Sequence, residues 1–267
     1  MERPEIDHVN LEVAHIPAAL ADPARQPIVF LHEGLGSVAM WRDWPARVCE
    51  ATGRSGWVYS RRGYGASDPV PGVRAPAAVV QGRRIGRLQP DYMHHEALVV
   101  LPALLKRLGL AAPVLLGHSD GASIALIYAS QFPVGACIVM APHVMVEDVS
   151  IRSIEQARKA FQHGGLRQRL ARYHADVDNA FWQWNDAWLD PAFRAFDIRA
   201  ECRRIAAPVL ALQGSDDPYG TLAQIDQIDL PALQLQRAVL ADCGHSPHRD
   251  QDEETTRLIS AFLAPLP

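Results

Sequence analysis

Short apolar runs recur along the chain, separated by stretches whose apolar positions fall every three or four residues. Pro27-Ile28-Val29-Phe30-Leu31, Pro113-Val114-Leu115-Leu116, Ala136-Cys137-Ile138-Val139-Met140 and Pro208-Val209-Leu210-Ala211-Leu212 carry no polar alternation. Runs of that kind suit strands buried on both faces of a parallel sheet. Trp57-Val58-Tyr59-Ser60 reads as a further strand, 9–16 as an opening strand and 233–240 as a last one. Between them, 41–52, 92–108, 122–129 and 253–263 read as helices. In the second, Leu98, Leu101, Leu105 and Leu108 mark one face and Gly109 the end. Strands alternating with helices predict an α/β protein, a mostly parallel sheet with helices on both faces and right-handed crossovers.

Two segments break the pattern. Residues 69–90 are rich in Pro, Gly and Arg, hold no acidic residue, and read as a long loop. Residues 143–204 show no clear strand, only charged and aromatic helical text. The expected organisation is a core of 1–142 and 205–267, with a helical cap of 143–204 inserted over the strands' C-terminal ends. Sheets of this type bind ligands there.

Composition narrows the function. The chain has 267 residues, 48% hydrophobic and 21% charged, as for a soluble domain with a large core. A formal net charge of −4 gives no electrostatic case for nucleic acid or an anionic membrane as partner. No apolar run is long enough to span a bilayer. Met1-Glu2-Arg3-Pro4-Glu5 lacks the apolar segment of a signal peptide. Cys49, Cys137, Cys202 and Cys243 match no zinc spacing and are read as free thiols, Cys137 as a core residue. These features predict a protein of the reducing cytoplasm.

The sharpest chemical signal is Gly117-His118-Ser119-Asp120-Gly121, between an apolar strand and a helix. Gly-x-Ser-x-Gly in that context holds a serine on a strained turn, with the helix N-terminus aimed at its oxygen. A serine hydroxyl needs a base, and the base an orienting carboxylate. Two later strands run into loops that supply both. One is Gln213-Gly214-Ser215-Asp216-Asp217-Pro218, the other Asp242-Cys243-Gly244-His245-Ser246-Pro247-His248.

On these residues the chain resembles the α/β hydrolases over nearly its whole length, in particular serine esterases with a helical cap. The family's Gly-x-x-Asp motif lands on Asp217, and its Gly-His motif after the last strand on His245. The resemblance implies Ser119 as nucleophile, His245 as general base then acid, and Asp217 as the orienting carboxylate. Asp216 and His248 are the alternatives. It further implies an oxyanion hole of the Gly34 and Asp120 N–H groups, and no cofactor or metal. His32-Glu33-Gly34 departs from the family's usual His-Gly. Glu33 is expected to point away from the oxyanion site, toward Arg61 or Arg62, and His32 and His118 are expected to be structural. Ser-Asp-Gly resembles the biphenyl hydrolase-like, valacyclovirase-type esterases, in which the matching aspartate recognises a substrate amino group. Asp120 is therefore either an amine-binding residue or a cap for the following helix, the second being preferred.

Eight of the nineteen aromatic residues fall in the cap segment. Trp182, Trp184 and Trp188 are the candidates to line an apolar pocket over Ser119, with Glu33 and Asp120 as candidate polar contacts. Arg74, Arg83, Arg84 and Arg87 read mainly as solvated residues. Adjacent His94-His95-Glu96 read as surface residues rather than metal ligands, because neighbours on a helix point apart. The expected function is hydrolysis of a small carboxylic ester through an acyl-enzyme. Carbon–carbon bond hydrolysis of ring-fission products, lactonase and thioesterase chemistry, and a ligand-binding receptor on a hydrolase scaffold are the alternatives. A serine at the elbow argues against dehalogenase and epoxide hydrolase chemistry, whose enzymes use aspartate there.

Overall fold

A computed structural model describes residues 2–19, 21–73, 78–81 and 83–266. Strands β1 (Glu5–Ile6) and β2 (Val9–Asn10) form a small antiparallel hairpin. The remaining strands are β3 (Glu12–Ile16), β4 (Ile28–Leu31), β5 (Gly56–Ser60), a second hairpin of β6 (Ala78–Val80) and β7 (Arg83–Ile85), β8 (Val114–His118), β9 (Ala136–Met140), β10 (Val209–Gly214) and β11 (Leu235–Leu240). Seven strands make the main sheet in the order β11-β10-β9-β8-β4-β5-β3. Neighbours pair in parallel except β3, which runs antiparallel to β5 at the edge.

The burial pattern explains why apolar runs became central strands. Every residue of β4, β8, β9 and β10 is buried, whereas edge strand β11 exposes Gln236, Arg237 and Val239. Helices cover both faces. On one, α1 (Trp44–Thr52) packs with the C-terminal α11 (Asp252–Leu263); on the other lie α2 (Tyr92–His95), α3 (Leu101–Arg107) and α4 (Asp120–Ala129). All ten residues of α4 are buried, so its hydrophobicity runs all round rather than along one stripe. Between β9 and β10 the chain forms α5 (Asp148–His163), α6 (Leu166–Leu170), α7 (Val177–Trp188) and α8 (Arg199–Cys202). Short helices α9 (Ala223–Asp226) and α10 (Pro247–Asp250) complete the set, and among the described residues no helix is long and apolar enough to cross a membrane.

Three expectations need correction. The opening strand 9–16 divides at Leu11 into β2 and β3. The loop 69–90 contains the hairpin of β6 and β7, whose Arg-rich text hid two short extended segments. The helix 92–108 carries a π-helical turn, Glu96–Val100, between α2 and α3. One extra residue in a turn rotates the side chains before it relative to those after it. Leu98 is thereby 37% exposed, while Leu101 and Leu105 stay in the core. Glu96 is not a surface residue: it is buried and accepts a hydrogen bond from Tyr59 Oη at 2.7 Å.

Candidate active site

Ser119 sits between β8 and α4 at φ 53°, ψ −118°, a left-handed backbone that few L-residues adopt. Sterics force small neighbours on this turn. A Cβ on Gly121 would run into the carbonyl oxygen of Leu31, and one on Gly117 into that of Gly121. The turn thus packs its backbone against the end of β4, and Ser119 faces the loops that leave β4, β10 and β11.

Those loops bring the expected partners together. Ser119 Oγ lies 2.9 Å from His245 Nε2, and His245 Nδ1 lies 2.8 and 2.9 Å from the two Asp217 carboxylate oxygens. Asp217 also accepts from Gln213 Nε2 at 2.7 Å and from the Tyr219 amide at 2.8 Å. Its carboxyl sits below the ordinary aspartate range. Burial alone would raise it, and the His245, Tyr219 and His143 contacts more than reverse that. Asp216, the alternative acid, is exposed. His248, the alternative base, is 3% exposed among Trp41, Trp44 and His118, away from the serine's hydrogen bond.

Gly34 and Asp120 carry the two N–H groups expected at the oxyanion site. Among the described residues neither amide meets an internal acceptor. His32 supports the loop as a neutral ring. Its Nε2 accepts from the Arg61 amide at 3.0 Å, which leaves Nδ1 to donate to the Glu33 carbonyl at 2.6 Å. Burial, then Arg61, holds its pKa well below the usual histidine value.

The Glu33 carboxylate meets neither Arg61 nor Arg62. It lies 3.5 Å from His118 Nδ1 and 3.3 Å from Arg249 Nη2. The reason is that Arg61 is already engaged with the carbonyls of His32 and Glu33, and Arg62 with that of Pro69. His118 spans the gap between Glu33 and the loop that follows β11, with Nε2 2.6 Å from the His245 carbonyl. Burial works to raise the Glu33 carboxyl; His118, Arg249 and His248 together hold it well below the usual carboxylate range. A depressed folded pKa gives stability that is complete above the unfolded value, about 4.3, and is lost as pH falls through the folded one. Glu33→Gln is therefore expected to destabilise the protein by about 1–3 kcal/mol at neutral pH, with the gap closing in acid. Urea unfolding across pH checks this, and a gap independent of pH would refute the charge assignment.

Asp120 is 1% exposed, and its side chain makes no cap to α4, contrary to the preferred expectation. One oxygen accepts from Tyr92 Oη at 2.5 Å and lies 3.8 Å from Arg61 Nη2; the other accepts from Trp188 Nε1 at 3.2 Å. Burial pushes its pKa up, against the pull of Arg61, Tyr92 and Trp188. The three tryptophans separate. Trp184 and Trp188, four apart on α7, share a face. Trp184 lies over Gly34, where an added Cβ would strike its indole ring, and Trp188 reaches Asp120. Trp182 is about 200° round the helix. It packs against Phe161, Phe181 and Arg158 and is not brought to Ser119. Arg87 pairs with Asp186 at 2.7 Å, and Arg74 lies outside the described residues.

Sequence reading missed Arg61, Tyr92, Gln213, Tyr219 and His143. The Tyr219 ring lies 4.6 Å from that of His245, tilted by 40°. His143 lies 5.8 Å from it, its pKa pushed down to about 3 by burial and by the charge of His245. Arg61 had one signal: a charged residue directly after an apolar strand, at the sheet end where ligands bind. Among the described residues no cluster of His, Cys, Asp or Glu has the makings of a metal site.

A mostly parallel sheet with a serine on the strained turn after its central strand, and Asp and His on later strand ends, defines the α/β-hydrolase class. The comparison with known proteins agrees: a model of the alpha/beta hydrolase family matches residues 28–258, and the chain belongs to that family. It is 24% identical over 272 residues to the sn-1-specific diacylglycerol lipase ABHD11 of Mus musculus, covering 91% of this chain and 82% of that one. The fold is that of the enol-lactonase of Burkholderia xenovorans LB400 (TM-score 0.71, 15% identity, 98% and 99% of the two chains). It is equally that of a carboxylesterase of the thaumarchaeon Nitrososphaera gargenis (TM-score 0.70, 18% identity, 99% and 97%). The protein is a hydrolase.

Proposed function

We propose that the protein hydrolyses a small carboxylic ester through a covalent acyl-enzyme on Ser119. The observation that carries this reading is the 2.9 Å contact of Ser119 Oγ with His245 Nε2, whose other ring nitrogen meets Asp217. His245 takes the serine proton as Oγ attacks the ester carbonyl. Asp217 stabilises the imidazolium that forms, and fixes its orientation. The developing oxyanion accepts from the Gly34 N–H in the loop after β4 and from the Asp120 N–H at the start of α4. His245 then protonates the leaving alcohol as the carbon–oxygen bond breaks. Water, activated by the same histidine, attacks the acyl-enzyme and releases the acid and Ser119.

We assign 143–204 the role of a cap, whose α7 puts Trp184 over Gly34. Ser119 is 6% exposed, which suits a small substrate. The mouse relative is named a lipase and one structural neighbour a carboxylesterase; both names fit ester chemistry. We read the compartment as the reducing cytoplasm, where the four buried free cysteines persist as thiols.

The test is chemical trapping. A fluorophosphonate probe is expected to attach to one serine, Ser119, by peptide mass spectrometry. A p-nitrophenyl butyrate burst of one equivalent should precede steady turnover. Neither label nor burst would overturn the reading and favour a non-hydrolytic binder. A label without ester turnover, accompanied by activity on a lactone, a thioester or a vinylogous diketone, would keep the nucleophile and replace the substrate.

A further inference from the structure

We propose that Arg61 is a positioning residue that orients the peptide between Glu33 and Gly34, and that Asp120 holds Arg61 in that position. The inference rests on the hydrolase reading above, in which the Gly34 and Asp120 N–H groups receive the oxyanion.

A peptide unit is planar, and in the trans form its C=O and N–H point to opposite sides. Fixing the carbonyl end fixes the direction of the N–H end. The Glu33 carbonyl belongs to the same peptide as the Gly34 N–H. It accepts from His32 Nδ1 at 2.6 Å and from Arg61 Nη2 at 3.1 Å. Arg61 Nη1 takes the preceding carbonyl, that of His32, at 2.5 Å. A single planar guanidinium therefore bridges two consecutive carbonyls, which the point charge of a lysine does not do. The Arg61 amide donates in turn to His32 Nε2, so loop and arginine are tied at the main chain as well.

The other end of the chain of contacts is Asp120. Its carboxylate lies 3.8 Å from Arg61 Nη2, and Tyr92 and Trp188 fix the carboxylate itself. Asp120 directly follows the nucleophile and carries the second donor N–H. Two N–H groups from loops far apart in sequence must converge on one oxygen, and this buried pair joins them. Arg61 is 4% and Asp120 1% exposed. Burying both charges carries a desolvation cost that well-packed apolar side chains would avoid. A geometric task accounts for the pair being kept here. A cationic donor on the Glu33 carbonyl also polarises that peptide and makes its N–H a stronger donor.

Arg61 borders a cavity of about 420 Å³ lined also by Ile6, Val9, Leu11, Tyr92 and Val100. A small cation has room to approach the arginine's place from there, which makes chemical rescue a usable test.

The experiment compares Arg61→Ala, Arg61→Lys and Asp120→Asn with wild type in p-nitrophenyl butyrate kinetics. Inhibition by an aryl trifluoromethyl ketone, which forms an anionic hemiketal on the serine, is measured in parallel. Arg61→Ala is expected to lower kcat about 100-fold with KM nearly unchanged, as for loss of one oxyanion donor. Ketone affinity should fall by a similar factor, and millimolar guanidinium should restore part of both losses while tetramethylammonium does not. Arg61→Lys and Asp120→Asn should show the same kcat-selective loss at smaller size. If Arg61→Ala does not fold, those two variants and their ketone affinities decide. Wild-type kcat in the folded variants would overturn the proposal. So would a loss confined to KM, or a loss of stability with ketone affinity unchanged. A wild-type enzyme with neither fluorophosphonate label nor p-nitrophenyl butyrate turnover would instead sink the ester-hydrolase reading, so the two failures are distinguishable.

Discussion

Ser119→Ala is expected to lower kcat on p-nitrophenyl butyrate by about a million-fold, leaving only the slow background that binding and N–H donors supply to a water reaction. Ser123, four residues further on, donates to the carbonyl of His143 at 2.7 Å and is buried, so it cannot take over the role. His245→Ala should cost about as much, because a serine without its base is not a nucleophile at neutral pH. Asp217→Asn should cost about ten-thousand-fold. Its amide N–H would face His245 Nδ1 in place of an acceptor and favour the wrong tautomer. The Ser119–His245 double variant should be no slower than either single one, since the residues act as a unit. Single-turnover kinetics on protein freed of contaminating esterase check the series. Losses that add across the double variant would mean that the groups act separately.

Gly121→Ala is expected to destabilise the protein by about 3 kcal/mol or more, or to prevent folding. Helices ordinarily favour alanine over glycine by about 1 kcal/mol, so the sign reverses the usual rule. The cause is backbone on both sides. The new methyl would meet the carbonyl of Leu31 head on and lie 2.7 Å from that of His32. Neither can yield without moving β4 or the loop that carries Gly34. Gly109→Ala is the control. It has φ +70° and nothing within 4 Å of an added Cβ, so its cost is backbone strain alone, about 1–2 kcal/mol. Urea denaturation of both variants gives the comparison. A Gly121→Ala protein as stable as Gly109→Ala would show that β4 and α4 are free to separate at the elbow.

Such effects explain how much the sequence could say. Uniformly apolar runs of four or five residues, too short for a helix, suit central strands, and their alternation with helices leaves few topologies. The placement of Ser119, Asp217 and His245 against the strand ends is likewise written in one dimension, because each lies in the loop that follows its strand. These features rest on burial and chain order, both properties of the linear text.

What the sequence left open concerns charge partners. Glu33 read as a partner for Arg61 or Arg62 and meets His118 and Arg249 instead. Asp120 read as a helix cap or an amine contact and is held by Tyr92, Trp188 and Arg61. Glu96 read as exposed and is buried against Tyr59, because a π-helical turn shifts the helix face by one residue. Periodicity carries no information about which of several charges meet across distant segments, or about one inserted residue in a helix. By itself the sequence determined the sheet, the elbow and the order of Ser119, Asp217 and His245 along the chain. Only the tertiary structure decided how the buried acids are neutralised, since pairing across 28 to 216 residues is set by packing distance and desolvation rather than by neighbours along the chain.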